Sequence, residues 1–151
     1  MRVVTVLLLG LMPLFAQALE VGERLAPWTL LDQFEQPYTL NEHTAIVLVA
    51  RNMDGGKLVK AALEGQPKGY LEARQAVFVA DVQRMPALIA KLFAIPAMRD
   101  YSYRVLLDRE GRVASRYPGA EGEVLMLSLD QGRVKALQAF SDAQKLREAL
   151  E

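Results

Sequence analysis

The 151-residue chain contains no cysteine. That absence removes thiolate nucleophiles, thiolate metal ligands, redox-active pairs and stabilising disulfides together. Histidine occurs once, as His43, so no second imidazole stands ready for a transition-metal site. Charge of one sign is not in excess, with 18 Lys and Arg against 18 Asp and Glu. The basic footprint of a nucleic-acid binder is therefore missing. Low-complexity tracts, runs of like charge and a Gly-x-Gly-x-x-Gly turn after a strand are also absent. What remains is 52% hydrophobic and 24% charged, the composition of a single folded domain able to bury a core.

The first 18 residues read as a secretory leader. Met1-Arg2 is a short positive start, and residues 3–15 are apolar apart from Thr5, Gly10 and Pro13. Ala16-Gln17-Ala18 then offers small residues where a signal peptidase reads them. The run falls short of the ~20 residues that span a bilayer. Cleavage after Ala18 would release a soluble chain of residues 19–151 into the periplasm, with no stable membrane anchor. The same run also reads as an uncleaved anchor or an apolar first helix.

Along the mature chain, residues 28–40 hold two short strands around a polar turn at residues 32–36. The runs AIVLVA (45–50) and AVFVA (76–80) fit strands buried on both faces. Between them, residues 57–64 have helical spacing, with a Lys60–Glu64 pair on the outer side. Residues 86–95 read as a helix that Pro96 closes. Strands are expected at 103–107, 112–117 and 124–129, then a turn at Asp130-Gln131-Gly132 and a strand at 133–140. Ser141, with Gln144 three residues on, marks a capping box for the last helix. The order β-β-β-α-β-α-β-β-β-β-α predicts an α/β domain, a mixed central sheet with helices on both faces.

This succession resembles a known family. VGERLAPWTLLDQFEQPYTL followed by AIVLVA resembles the opening of peroxiredoxins, the alkyl hydroperoxide reductase and thiol-specific antioxidant branch, and of related exported thioredoxin-like proteins. VFVADV looks like their second core strand. YSYRVLLDREGRVASRYPG and EVLMLSLDQGRVKALQAF look like their later connection and final hairpin. The resemblance implies a thioredoxin-like three-layer sandwich. It also implies a redox site after the first core strand, and there this chain departs from the pattern. Where the family carries its cysteines, the sequence reads Asn52-Met53-Asp54-Gly55-Gly56-Lys57, with Met53 and Gly56 near the two thioredoxin cysteine positions. A methionine sulfoxide needs a separate reductase to return, so Met53 is no substitute for a turnover thiol. The proline expected near Glu123 is missing too.

Asp54-Gly55-Gly56-Lys57 is the best local candidate for a ligand. Two glycine amides at a helix start beside a lysine can hold a small anion; they can equally be a turn in which Asp54 caps the helix. A relic groove would be lined by Arg51, Asn52, Asp54, Gly55, Gly56 and Lys57, with Glu123 opposite. His43 reads as a turn residue. Tyr101 and Tyr103, two apart, would share one strand face near Arg99 and Arg104, either packed or at an interface. Asp108 and Asp130 sit in matching turns, and the serines lack a nucleophile-elbow context. These readings converge on a non-catalytic protein without a cofactor that acts by binding, with an envelope protein or a small ligand as partner. The alternative is a cysteine-independent oxidoreductase that borrows a flavin.

Overall fold

The computed structural model describes residues 19–151. The expected leader therefore lies outside the described residues. Among them, no helix is long and apolar enough to cross a membrane.

The two apolar runs become β3 (Ile46–Ala50) and β4 (Ala76–Asp81), paired in parallel from Ile46↔Ala76 to Ala50↔Ala80. Both sit mid-sheet, which is why their residues are apolar on both faces. β4 pairs in parallel with β5 (Leu106–Asp108), which meets β1 (Thr29–Asp32) and then β2 (Pro37–Thr39). On the other side, β3 pairs antiparallel with β6 (Val124–Asp130), which forms a hairpin with β7 (Arg133–Phe140). The seven-stranded order is β2-β1-β5-β4-β3-β6-β7. Gln131 (φ 49°) and Gly132 (φ 81°) make the two-residue hairpin turn, and positive φ at both central positions matches the twist of the flanking strands.

Alternation along the strands sorts the core into two layers. Leu48, Ala50, Phe78, Val124 and Met126 face one side, where they meet α1 (Met53–Ala62), α2 (Tyr70–Ala73) and α5 (Ala143–Leu150). A helical stretch from Ala87 to Met98 joins the same layer through Ala90 and Ile95. Val47, Val49, Val77, Leu106 and Leu127 face the other side. There the cover is the N-terminal segment, through Leu25 and Trp28, and a 3₁₀ turn at Ala114–Arg116. The Trp28 indole donates to the Tyr117 hydroxyl at 2.7 Å, holding these two covers together.

Several local expectations give way to tertiary context. The stretch expected as a strand at 112–117 is the 3₁₀ turn, because the buried Asp108 carboxylate accepts from the Val113 and Ala114 amides at 3.0 and 2.8 Å. Tyr101 and Tyr103 precede the strand instead of lying on it; β5 starts at Leu106. Asp142, not Ser141, caps α5, its carboxylate accepting from the Lys145 amide at 2.9 Å. Pro96 does not close its helix. That helix comprises α3 (Ala87–Ile89), a wider π turn (Ala90–Ala94) and α4 (Ile95–Met98), with Pro96 in the first turn of α4. A proline cannot donate to the carbonyl four residues back and its ring collides with it. The wider π turn just before Pro96 lets the helix continue.

Burial raises the Tyr103 phenol well above its ordinary value of 10.0, and Tyr101 pushes it the same way. Burial also raises Tyr117, with the Trp28 hydrogen bond and Arg116 opposing. The native state therefore holds these protons more tightly than the unfolded chain. Stability is expected to be intact below pH 10.0 and to fall as pH rises from there towards the folded-state values. Urea titrations across that range should show Tyr103→Phe with a shallower alkaline decline than the wild type; an unchanged slope would contradict the assignment.

Candidate binding groove

The end of β3 and the start of α1 form one unit. Asn52, extended at φ −151°, caps α1: its side-chain oxygen accepts from the Gly55 amide at 3.0 Å and from the Gly122 amide at 3.3 Å. The capping role thus falls to Asn52, and Asp54 is an exposed acid in the first turn. The Gly56 amide donates to the Asn52 carbonyl at 3.1 Å. Both glycine amides are therefore taken by the cap, and neither is left for the anion their spacing invites. Gly55 is buried because α1 lies hard against the sheet. A Cβ there would stand 3.0 Å from the Ala50 Cβ and 3.0 Å from the Glu123 carbonyl oxygen.

Arg51 and Glu123 are structural at this point. One Arg51 guanidinium nitrogen donates to the Ala114 carbonyl at 3.0 Å and also to the Tyr117 carbonyl, fastening the 3₁₀ turn to the end of β3. Glu123 is half-buried and presents its backbone to Gly55.

Beside this unit runs a groove with two lobes that share Asn52, Met53, Asp81, Val82, Met85 and Ala94. The inner lobe, about 310 Å³, adds Gly56, Lys57, Lys60, Met98 and Tyr101; the outer, about 400 Å³, adds Arg51, Arg84, Ile89 and Phe93. Asn52, Gly56 and Lys57 thus line it, Arg51 reaches its outer end, and Asp54, Gly55 and Glu123 do not contribute to its walls. The opposite wall is the π-interrupted helix.

The exposure of that wall is unusual. Phe93 is 65% exposed, Leu88 66%, Leu92 54% and Ile89 45%, and Met53 of α1, across the groove, is 64% exposed. The helix over 86–95 is apolar at every position but Lys91, yet only Ala90 and Ile95 are buried. A helix apolar all round is normally buried all round. Sequence reasoning passed over Met85, Ile89, Phe93 and Met98, and that surplus of apolar residues was the signal available.

Tyr101 and Tyr103 stack at 5.1 Å between ring centroids, with the Lys60 ammonium 5.0 Å from the Tyr101 ring. The expected Lys60–Glu64 ion pair does not form; the described residues hold only Arg84–Glu121 and Arg104–Asp32. His43 is exposed in the turn before β3, its amide donating to the Asn41 side chain at 2.8 Å. Asp108 and Asp130 lie at opposite ends of the sheet, because β6 runs antiparallel to β3. Among the described residues no group of three or more His, Cys, Asp or Glu could hold a metal ion.

The mixed sheet, its β3-α1-β4 crossover and the closing hairpin with α5 define a thioredoxin-like fold, and solved structures of that class superpose on it. Peroxidoxin BcpB from Mycobacterium tuberculosis matches with a TM-score of 0.57 at 17% identity, over 87% of this chain and 94% of that one. A putative thiol:disulfide interchange protein DsbE from Chlorobium tepidum gives 0.57 at 18% identity, over 89% and 100%. A putative protein disulfide isomerase from Bacteroides thetaiotaomicron gives 0.61 at 12% identity, over 87% and 86%. The sequence matches no protein-family model and no curated protein. The chain thus has a thioredoxin-like, peroxiredoxin-like fold without the cysteines on which thiol chemistry depends.

Proposed function

We propose that this is a non-catalytic thioredoxin-fold protein of the periplasm that acts by binding, through the groove between α1 and the π-interrupted helix. The observation that carries the reading is the exposure of Met53, Ile89 and Phe93 around a concave, largely apolar hollow. Exposed apolar surface on a folded domain costs solubility, and where it rims a concavity it marks a contact surface. Methionine suits such a surface, since its flexible thioether adapts to varied partners. The periplasmic placement draws on the leader-like first 18 residues. It is in keeping with the fold's occurrence in an exposed lipoprotein thioredoxin from Streptococcus pneumoniae, 13% identical with a TM-score of 0.53.

The test is site-specific photocrosslinking in the cell. A photoreactive amino acid replacing Phe93 should give discrete adducts, and Met85→Glu in the same chain should abolish them. The same probe at Gln138, exposed on β7, serves as control. Identical patterns from the two positions, or no adduct from Phe93, would refute the reading.

A further inference from the structure

We infer that the occupant of the groove is a peptide segment combining large apolar side chains with carboxylates; this rests on the binding reading above and specifies its partner. The chain as a whole is neutral, but the groove is not. Four cations, Arg51, Lys57, Lys60 and Arg84, line it against one carboxylate, Asp81.

The free valences sharpen this asymmetry. Asp81 is already engaged, its two oxygens accepting from the Gln83 amide at 3.0 Å and the Gln83 side chain at 2.8 Å. Arg84 pairs with Glu121, and Arg51 is turned to the Ala114 and Tyr117 carbonyls. Lys57 and Lys60 remain, both exposed and neither paired with a carboxylate in the described residues. They stand one helical turn apart on the rim formed by α1. Both lysines also line a second hollow of about 370 Å³, shared with Tyr101 and Tyr103, where Glu64 is the only acid. A ligand with apolar side chains on Met53, Met85 and Phe93 would bring its flanking backbone to this rim, where carboxylates meet uncompensated charge.

Two other occupants fit less well. Three thioethers, from Met53, Met85 and Met98, would suit a soft monovalent cation, but the surrounding ammonium and guanidinium groups repel one. An anionic bilayer would also favour lysines beside apolar groups, but its surface cannot enter a concavity between two helices. A peptide can.

The test uses two synthetic peptides, one alternating Leu, Phe and Met with Asp and Glu, the other its twin with Lys at every acidic position. Binding to the full chain is read by fluorescence anisotropy. The acidic peptide should bind at least about tenfold more tightly, with the margin collapsing near 0.5 M salt, where charges are screened within a few ångström. Lys57→Glu with Lys60→Glu, exposed positions whose change leaves the core intact, should reverse the order. Equal binding of both peptides, indifferent to the double reversal, would overturn the acidic specificity and leave the groove a binding site. Failure of both peptides while the protein sediments with phosphatidylglycerol vesicles would overturn it in favour of a membrane surface. Failure of both without vesicle binding would overturn it too. Crosslinks from Phe93 then decide separately whether the binding reading survives.

Discussion

Gln33→Leu should cost about 3 kcal/mol of stability or more and loosen one wall of the groove. Gln33 is 1% exposed, and its side chain does the work of a missing strand. The amide nitrogen donates to the Met98 carbonyl at 3.2 Å and the Tyr103 carbonyl at 3.0 Å, while the amide oxygen accepts from the Val105 N–H at 2.9 Å. These three contacts pin the end of α4 and the segment that leads from it to β5, which together carry Met98, Tyr101 and Tyr103. Leucine fills a similar volume but leaves the Tyr103 carbonyl and the Val105 N–H without partners in a buried site, while the Met98 carbonyl keeps only the Tyr101 amide at 3.1 Å. Each such orphan costs about 1–3 kcal/mol, not strictly additively. Gln33→Glu separates the contributions. It keeps an acceptor for Val105 but sets a carboxylate against two carbonyl oxygens, so it should also destabilise. Urea denaturation should show the loss, and hydrogen exchange should show the Val105 amide losing protection ahead of the β3–β4 core. A leucine variant with unchanged stability and protection would show that Gln33 does not hold this segment.

The role of Gln33 marks the boundary of what sequence reasoning reaches. β3, β4, β6 and β7 were legible because their apolar runs and the Asp130-Gln131-Gly132 turn are local signals, written in adjacent residues. The fold followed from their order. The site was legible only in part. The β3–α1 junction was found, since a glycine pair after a buried strand stands out. Its chemistry was misread, because whether Asn52 or Asp54 caps the helix depends on where Gly122 lies, and that is settled across 70 residues. The opposite wall was missed for a related reason. Residues 86–95 look like any core helix until the fold shows that only Ala90 and Ile95 find the core. Pro96 suggested an end where the chain instead widens into a π turn. The 3₁₀ turn at Ala114–Arg116 was read as strand because its organiser, the Asp108 carboxylate, acts through backbone amides five and six positions on.

The adjacent glycines of α1 should respond to substitution with opposite signs. Helix propensity alone favours replacing either, since glycine in a helix interior costs up to ~1 kcal/mol relative to alanine. Packing decides the difference. At Gly56 a Cβ meets nothing within 4 Å, so Gly56→Ala should gain most of that ~1 kcal/mol. At Gly55 the new Cβ would press on Ala50 of β3 and on the Glu123 carbonyl just before β6, each at 3.0 Å. Neither is a flexible side-chain end that can swing aside; both belong to paired strands or their immediate approach. α1 would have to lift away, taking the Asn52 cap and Met53 with it. Gly55→Val, which adds branching at the same crowded atom, should cost about 3 kcal/mol. It should also weaken groove binding, whereas Gly56→Ala should leave the acidic peptide bound or bind it slightly more weakly through the added methyl on the groove wall. Thermal melts of the two single variants measured side by side check the sign. If Gly55→Val melted at or above the wild-type temperature, the close seating of α1 on β3 would be wrong, and with it the position assigned to the groove.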